Sequence, residues 1–438
     1  MIRPSGLLQS LLRSSALRAA AAFGVGGLAL ACGNLLLARC LPAVEFAHFS
    51  LLYAIVMIGI SIGPIGADVL LMRRSFQPDA RLHRQILLTS GLVAAVLVLG
   101  AGVLYALPAS LLATIGISII AGGVKTVAVA HYRSRGRLSA ALLLTSSTNA
   151  TVLVAAAVAF AVGARTALLP AAAMSISLCL SAIVGWWAVR PDGSAAGRDS
   201  GYSWSEGWSA VSFAGAVMIL GALERLVTPR LLGLHELATF SVLATIAGSP
   251  FQMLQSGVGY TLVPALRNAE SAQRRRQVIA HEARVVFATG LAAGVGVWLV
   301  APFILKWVLA GRYEIGWPLM LAAIVVGALK IANSLVAAAV SALGSGRDLS
   351  RLSAIGWISI GLALVGGTIG SRWGLTGLVC GVGMSWLLRA FLIARLAAPH
   401  IWGVSDHGPM TEKSAQTPGA PDGPGRSFDD FSEGRSGT

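Results

Sequence analysis

Runs of apolar residues alternate with short polar joins along nearly the whole chain, and most runs have the length of a membrane-crossing helix. A helix rises about 1.5 Å per residue, so roughly 20 apolar residues cross a hydrocarbon core of roughly 30 Å. Twelve runs are read, at 17–38, 48–72, 85–107, 110–130, 138–163, 166–189, 207–229, 237–263, 285–308, 316–343, 352–371 and 373–396. The joins around Leu107, Arg165 and Arg372 are tight, which leaves eleven and thirteen as the neighbouring counts. The pattern predicts an all-α polytopic membrane protein.

Composition agrees. Of 438 residues 55% are hydrophobic and 12% charged, and the mean hydropathy is +0.75, far too apolar for soluble domains. Topology accounts for the formal charge of +15, because cytoplasmic loops carry the excess of Lys and Arg. With the first helix running outward, inner segments and the C-terminal tail hold 23 of the 33 basic residues. Arg39, Arg165, Arg230, Lys306, Arg312 and Arg372 fall outside, so both termini are predicted cytoplasmic. No nucleic-acid partner is needed to explain the charge. Arg3, Arg13 and Arg18 precede an apolar stretch containing "LALACGN". That stretch continues past Cys32 to Ala38, so a retained helix is expected rather than a cleaved leader. Cys32, Cys179 and Cys380 lie inside apolar runs and Cys40 at a helix end, which is neither a disulfide framework nor a metal spacing.

The chain repeats itself. Arg39 to Ile55 reads "RCLPAVEFAHFSLLYAI", and 191 residues later Arg230 to Ile246 reads "RLLGLHELATFSVLATI", with eight of seventeen positions identical. "IIAGGVK" (Ile119 to Lys125) is echoed by "IVVGALK" (Ile324 to Lys330). Six helices separate the copies, an even number, so the halves are parallel repeats related by an axis along the membrane normal. The expected domains are a six-helix bundle at 1–190, a cytoplasmic linker at 191–206, a second six-helix bundle at 207–399 and a disordered cytoplasmic tail at 400–438. The polar segment "RNAESAQRRRQVIAHEAR", Arg267 to Arg284, is expected to be an interfacial helix held against anionic membrane lipids. No inter-helix loop is long enough to fold a catalytic domain. The sequence also lacks a Walker motif, a glycine-rich nucleotide loop and a His/Cys/Asp metal spacing, so no enzyme activity, cofactor or metal is expected.

The repeated segments carry a family resemblance. "LLLARCLPAVEFAHFSLL" after the first helix and "LERLVTPRLLGLHELATFSVL" at the seventh are similar to the Wzx-type flippases. These form the polysaccharide-transporter branch of the multidrug/oligosaccharidyl-lipid/polysaccharide (MOP) exporter superfamily. That family has an acidic-basic pair in helix 7, an Arg-Leu-Leu-Gly turn and a Glu-x-x-x-Phe/Tyr-Ser start to helix 8. Here those positions are Glu224 and Arg225, Arg230 to Gly233, then Glu236, Phe240 and Ser241. Ala238, and Ala47 in the first half, depart from the family's glycine. The resemblance implies a MATE-like fold, two parallel six-helix bundles around a central cavity. It further implies transfer of a lipid-linked oligosaccharide from the cytoplasmic to the outer leaflet.

Ionisable groups inside a membrane cost about 2.5–3.5 kcal/mol each on insertion scales, so each is a candidate functional residue. Four bases, Lys125, Arg225, Lys330 and Arg389, stand against two acids, Asp68 and Glu224. A cavity lined by that set is electropositive. It suits an anionic cargo such as a polyprenyl pyrophosphate, whose oxygens accept charge-assisted hydrogen bonds. An exporter of cationic drugs is expected to show the opposite sign. Lys125 and Lys330 occupy equivalent points in the two halves; for each, cargo contact competes with pairing to carbonyls or an acid inside the bundle. Arg389 either meets cargo or extends toward the cytoplasmic surface.

Glu224 and Arg225 point about 100° apart on one helix and are expected to reach different partners. At the 191-residue offset they correspond to Gly33 and Asn34, both neutral. The pair belongs either to an interhelical ion-pair network or to cargo binding or proton coupling. Pro64 is expected to bend the second helix, and Asp68, about a turn above Arg73, to pair structurally rather than to bind a coupling ion. Arg39 with Glu45 and Arg230 with Glu236 flank the outer turns, as latches or as ordinary interface anchors.

The expected function is a bacterial inner-membrane flippase working by alternating access. Its cargo is expected to be an undecaprenyl-diphosphate-linked repeat unit of O-antigen, capsule or exopolysaccharide, with other glycan-assembly proteins as partners and proton or sodium coupling left open. The alternatives are a small-molecule or drug exporter of the same fold, and a membrane-embedded glycan polymerase or ligase. The large periplasmic loop of the latter is missing here.

Overall fold

The computed structural model describes residues 15–74, 78, 80–187, 189, 204–269 and 271–402. Most of the expected linker and the tail from residue 403 onward lie outside the described residues.

Twelve segments follow in order: α1 (Ser15–Cys40), α2 in two pieces (Ala43–Ile62 and Ala67–Arg74), α3 (Ala80–Tyr105), α4 (Ala109–Ser134), α5 (Leu138–Ala161) and α6 (Leu168–Trp187) form the first half. The second comprises α7 (Trp204–Leu231), α8 (Leu234–Leu243, continuing through a π turn into Ser249–Arg267), α9 (Ala272–Phe303), α10 (Trp317–Leu343), α11 (Gly346–Gly370) and α12 (Gly374–Trp402). There is no strand among the described residues. Ten stretches are long and apolar enough to cross a membrane. One of them, Arg347–Trp402, contains both α11 and α12, while Gly24–Cys40 of α1 is a shorter apolar helix.

Prolines explain the interruptions. Pro64 lacks the N–H that would bond the carbonyl of Ile60, and the helix stops at Ile62 and restarts at Ala67. Ile65 and Gly66 between the pieces have φ of 45° and 70°. At Gly66 a Cβ would also lie 2.7 Å from the Gly207 carbonyl oxygen on α7, so a side chain is excluded there twice over. The π turns at Ala244–Gly248 and Ile304–Val308 lie beside Pro250 and Pro302, which cannot donate to the carbonyls four residues back.

The segment 267–284 departs from expectation. It is not a separate interfacial helix: α8 ends at Arg267 and α9 runs without a break from Ala272 to Phe303. At about 1.5 Å per residue α9 is roughly 48 Å long, so its basic first turns extend past the apolar part along the same axis. Two arginines there serve local structure. Arg275 donates to the Ala269 carbonyl, and Arg276 donates to the carbonyls of Ile401 and Trp402 while lying over the Trp402 ring.

The halves meet along α2, α7 and α8, with α1 also packed on α8. The Ser241 hydroxyl donates to the Ser50 hydroxyl at 2.6 Å, across 191 positions of sequence. That spacing is the repeat offset itself. Two equivalent atoms can touch only where the pseudo-two-fold axis passes between them, so this bond marks the axis. Seven residues of helix separate Ser50 from Ala43 and Ser241 from Leu234, which puts the bond about 10 Å below the face where α1 and α7 end. Nearer that face Tyr105 on α3 donates to the Leu226 carbonyl at 2.8 Å, and Tyr313 donates to the Ala38 carbonyl at 3.2 Å.

Candidate functional site

On α7, Glu224 and Arg225 face different ways, as the 100° step between neighbours requires. Glu224 turns into its own bundle. Its carboxylate lies 3.0 Å from the Lys330 ammonium on α10, with side-chain exposures of 3% and 25%. The Lys330 ammonium also lies 5.4 Å from the ring centre of Trp386 on α12, within reach of the ring's negative face. Lys330 is therefore not a free cation: its charge is answered from α7.

Arg225 turns the other way, into a cleft between the halves. The cleft is narrow and is lined by Asn34, Phe46, Ser50, Tyr53, Arg225, Ser241 and Thr245. Asn34 comes from α1, Phe46, Ser50 and Tyr53 from α2, Arg225 from α7, and Ser241 and Thr245 from α8. Within that wall Arg225 is the residue with a formal charge, and it makes no hydrogen bond or ion pair to a described residue. The guanidinium offers five donors in a planar fork and keeps its proton, so the cleft presents a fixed positive charge. The neighbouring Glu224 carboxylate is bonded to Lys330 and acts on Arg225 through space without pairing with it. The resemblance implies a central cavity; at this level the halves leave only a narrow cleft.

The remaining expected site residues are dispersed. Lys125 on α4 is buried, and its ammonium donates to the Thr148 hydroxyl on α5 at 2.6 Å, inside the first bundle. Arg389 is fully enclosed: it lies 5.5 Å from the Trp386 ring centre, and its three guanidinium nitrogens lack hydrogen-bond partners. It neither meets the cleft nor reaches the surface, so both expectations for it are corrected. Enclosure follows from its helix face, one turn from buried Trp386 and Ser385. Asp68 stands in the first turn of the second piece of α2, where a carboxylate complements the helix N-terminus, within electrostatic reach of Arg133 on α4. The side chain of Arg73, its expected partner, lies outside the described residues.

The expected outer-turn pairs do not form. Neither Arg39 with Glu45 nor Arg230 with Glu236 is an ion pair among the described residues. Glu45 instead accepts from the Ala167 N–H at 2.7 Å at the entrance to α6, and lies 3.5 Å from His48. An open helix N–H is the better partner for a carboxylate one turn into its own helix. Arg39 crosses to the other half and donates to the Trp307 and Val308 carbonyls at 3.2 and 2.9 Å, while Arg312 donates back to the Arg39 carbonyl. The latch connects the halves, with backbone acceptors in place of the acids.

Several participants were not singled out from the sequence. Trp386 sits three residues before Arg389, a helical neighbour of a suspicious charge. Tyr53, Thr148 and Tyr313 had no comparable signal.

No family model matches the sequence, and no characterised protein matches it by sequence. The fold does have relatives among solved structures. The chain is similar to a structure described as an inward-facing conformation of a multidrug resistance MATE family transporter of the MOP superfamily. That likeness has a TM-score of 0.57 at 14% identity, over 86% of this chain and 94% of that one. It is similar to lipid II flippase MurJ in an inward closed conformation, with a TM-score of 0.63 at 10% identity over 86% of each chain. It is also similar to the MATE multidrug transporter DinF-BH in complex with R6G, at 0.57 and 16% identity over 90% of this chain and 96% of that one. The chain therefore shares the all-helical fold of these solved structures, two six-helix halves, and ten of its stretches are long and apolar enough to cross a membrane.

Proposed function

We propose that this protein flips a lipid-linked anionic saccharide across a bacterial inner membrane by alternating access of its two halves. The cargo class is a polyprenyl-diphosphate-linked oligosaccharide, the repeat unit of a surface glycan. The observation that carries this reading is the Arg225 guanidinium in the inter-half cleft, which has no ion-pair partner there while Glu224 is bonded to Lys330. A phosphate oxygen that meets it gains a charge-assisted hydrogen bond of about 1.5–3 kcal/mol. The orientation with both termini in the cytoplasm follows from the distribution of Lys and Arg, and neighbouring glycan-assembly enzymes are the natural suppliers of cargo.

A drug exporter of the same fold is the second reading, supported by the MATE neighbours. Cargo charge separates the two. Purified protein in liposomes is offered a fluorescent polyprenyl-diphosphate saccharide and, separately, a cationic dye. The flippase reading expects transfer of the first, cut at least tenfold by Arg225→Gln. Transfer of the dye alone would establish the exporter instead.

A further inference from the structure

Between the Ser50–Ser241 bond and the face where α1 and α7 end, two joins tie the halves together. The first is the end of α9 with the join to α10. From it Arg312 donates to the Arg39 carbonyl and the Tyr313 hydroxyl donates to the Ala38 carbonyl, while the Trp307 and Val308 carbonyls accept from Arg39. The corresponding join of the first half, between α3 and α4, reaches across in the opposite direction. There the Tyr105 hydroxyl donates to the Leu226 carbonyl on α7.

Backbone conformation supplies the acceptors. Each join passes through an alanine in the left-handed region, Ala106 with φ 49° and Ala310 with φ 52°, and Gly311 follows the second with φ 70°. Through that turn the N–H groups of Gly311 and Arg312 bond to the carbonyls of Leu305 and Leu309 instead of those four residues before them, Trp307 and Val308. These two carbonyls stay open for Arg39. On α1 the Ala38 carbonyl stays open for Tyr313 because Pro42, four residues on, has no N–H. An alanine in the left-handed region is strained and persists where its surroundings hold it. The ties to the other half are among the contacts that hold these turns. An open carbonyl at a helix end exchanges such a partner for water at small net cost, so the ties are separable.

The ties lie next to the cleft. Ala38 is one turn, about 6 Å, beyond Asn34 on α1, and Leu226 is the residue after Arg225. The buried Tyr313 ring stands edge-on to Phe46 of the cleft wall, with ring centres 6.5 Å apart. We propose that the α3–α4 and α9–α10 joins are the gate of the cleft on this face: tied, they shut it, and released, they let the halves part and the cleft widen. This rests on the alternating access of the reading above and not on the cargo, so it holds for a flippase and for an exporter of the same fold.

Thiol labelling of the full-length protein in nanodiscs tests this without any cargo. In a background with Cys32, Cys40, Cys179 and Cys380 replaced by alanine, Thr245→Cys places a thiol in the cleft wall. Ser175→Cys places one inside the first bundle, where Ser175 bonds to Ser118. With a charged, water-soluble thiosulfonate, Thr245→Cys reacts about tenfold faster or more once Arg39→Gln, Arg312→Gln and Tyr313→Phe are combined. Tyr105→Phe alone, which deletes one tie, gives a gain of about two- to threefold, and Ser175→Cys stays unreactive throughout. No gain at Thr245→Cys, or an equal gain at Ser175→Cys, which reports unfolding, overturns the gate. Transport is read separately in liposomes. Ala38→Cys and Tyr313→Cys, joined by a bifunctional thiosulfonate, lose flux of a polyprenyl-diphosphate saccharide and regain it on reduction. Undiminished flux in the joined protein also overturns the gate. If the wild-type protein carries no such flux, the flippase reading falls while the labelling result for the gate stands.

Discussion

The two halves share a fold and a repeated sequence but treat a buried lysine differently. In the first half Lys125 on α4 meets a hydroxyl, that of Thr148. In the second, Lys330 on α10 meets a carboxylate, that of Glu224, and an indole ring. The position corresponding to Glu224 in the first half is Gly33, where a Cβ would lie 3.0 Å from the Leu153 backbone on α5. Close packing of α1 on α5 leaves no room for a counter-charge, whereas α7 has the room and uses it. The lesson is that duplication copied the frame, and charge was placed in the half whose helix packing tolerated it. That placement leaves Arg225 without an ion pair in the cleft between the halves.

Breaking the ion pair from one side is the harshest test of this contrast. Glu224→Ala strands the Lys330 ammonium, and loss of one partner of a buried pair costs about 3–5 kcal/mol. The double variant Glu224→Leu with Lys330→Met removes both charges and recovers most of the loss, as thermal unfolding in detergent would record. Next in size is the attempt to copy the charge into the first half. Gly33→Glu forces a side chain against the Leu153 backbone and destabilises by about 1–3 kcal/mol from overpacking alone, read in the same assay. A smaller effect is expected on the axis itself, where Ser241→Ala deletes the bond to Ser50 and costs about 1 kcal/mol. Smallest is Lys125→Met: it loses a hydrogen bond but no longer buries a charge, so stability stays within about 1 kcal/mol of wild type. A Lys125 variant as damaged as the Glu224 variant would mean that the halves are not different in this respect.

Much of the frame could be read from the residues. Hydrophobic run length locates twelve segments because a bilayer imposes one length on every crossing helix, and the repeat at Arg39 and Arg230 fixes parallel halves. The bend at Pro64 follows from a missing N–H. The opposed directions of Glu224 and Arg225 follow from helical geometry, and the neutral Gly33 and Asn34 were visible by offset. What escaped depends on packing between distant segments. Glu224 and Lys330 are separated by 106 positions, and nothing local selects lysine rather than Arg389 as the partner. Glu45 is drawn to an open N–H at Ala167 that exists only once α6 has been placed beside α2. Basic composition made 267–284 read as an interfacial helix, but composition does not say whether α9 continues straight through, and the carbonyls at the end of α12 give its arginines local partners.

The central claim is that Glu224 and Lys330 satisfy each other so that Arg225 alone faces the cargo. Reconstituted flipping of a polyprenyl-diphosphate saccharide, measured side by side for Arg225→Gln and for the double variant Glu224→Gln with Lys330→Gln, tests it most directly. The account predicts a loss of at least about tenfold in the first, equivalent to about 1.4 kcal/mol, and flux within about threefold of wild type in the second. Full flux in Arg225→Gln with a collapse in the folded double variant would contradict it.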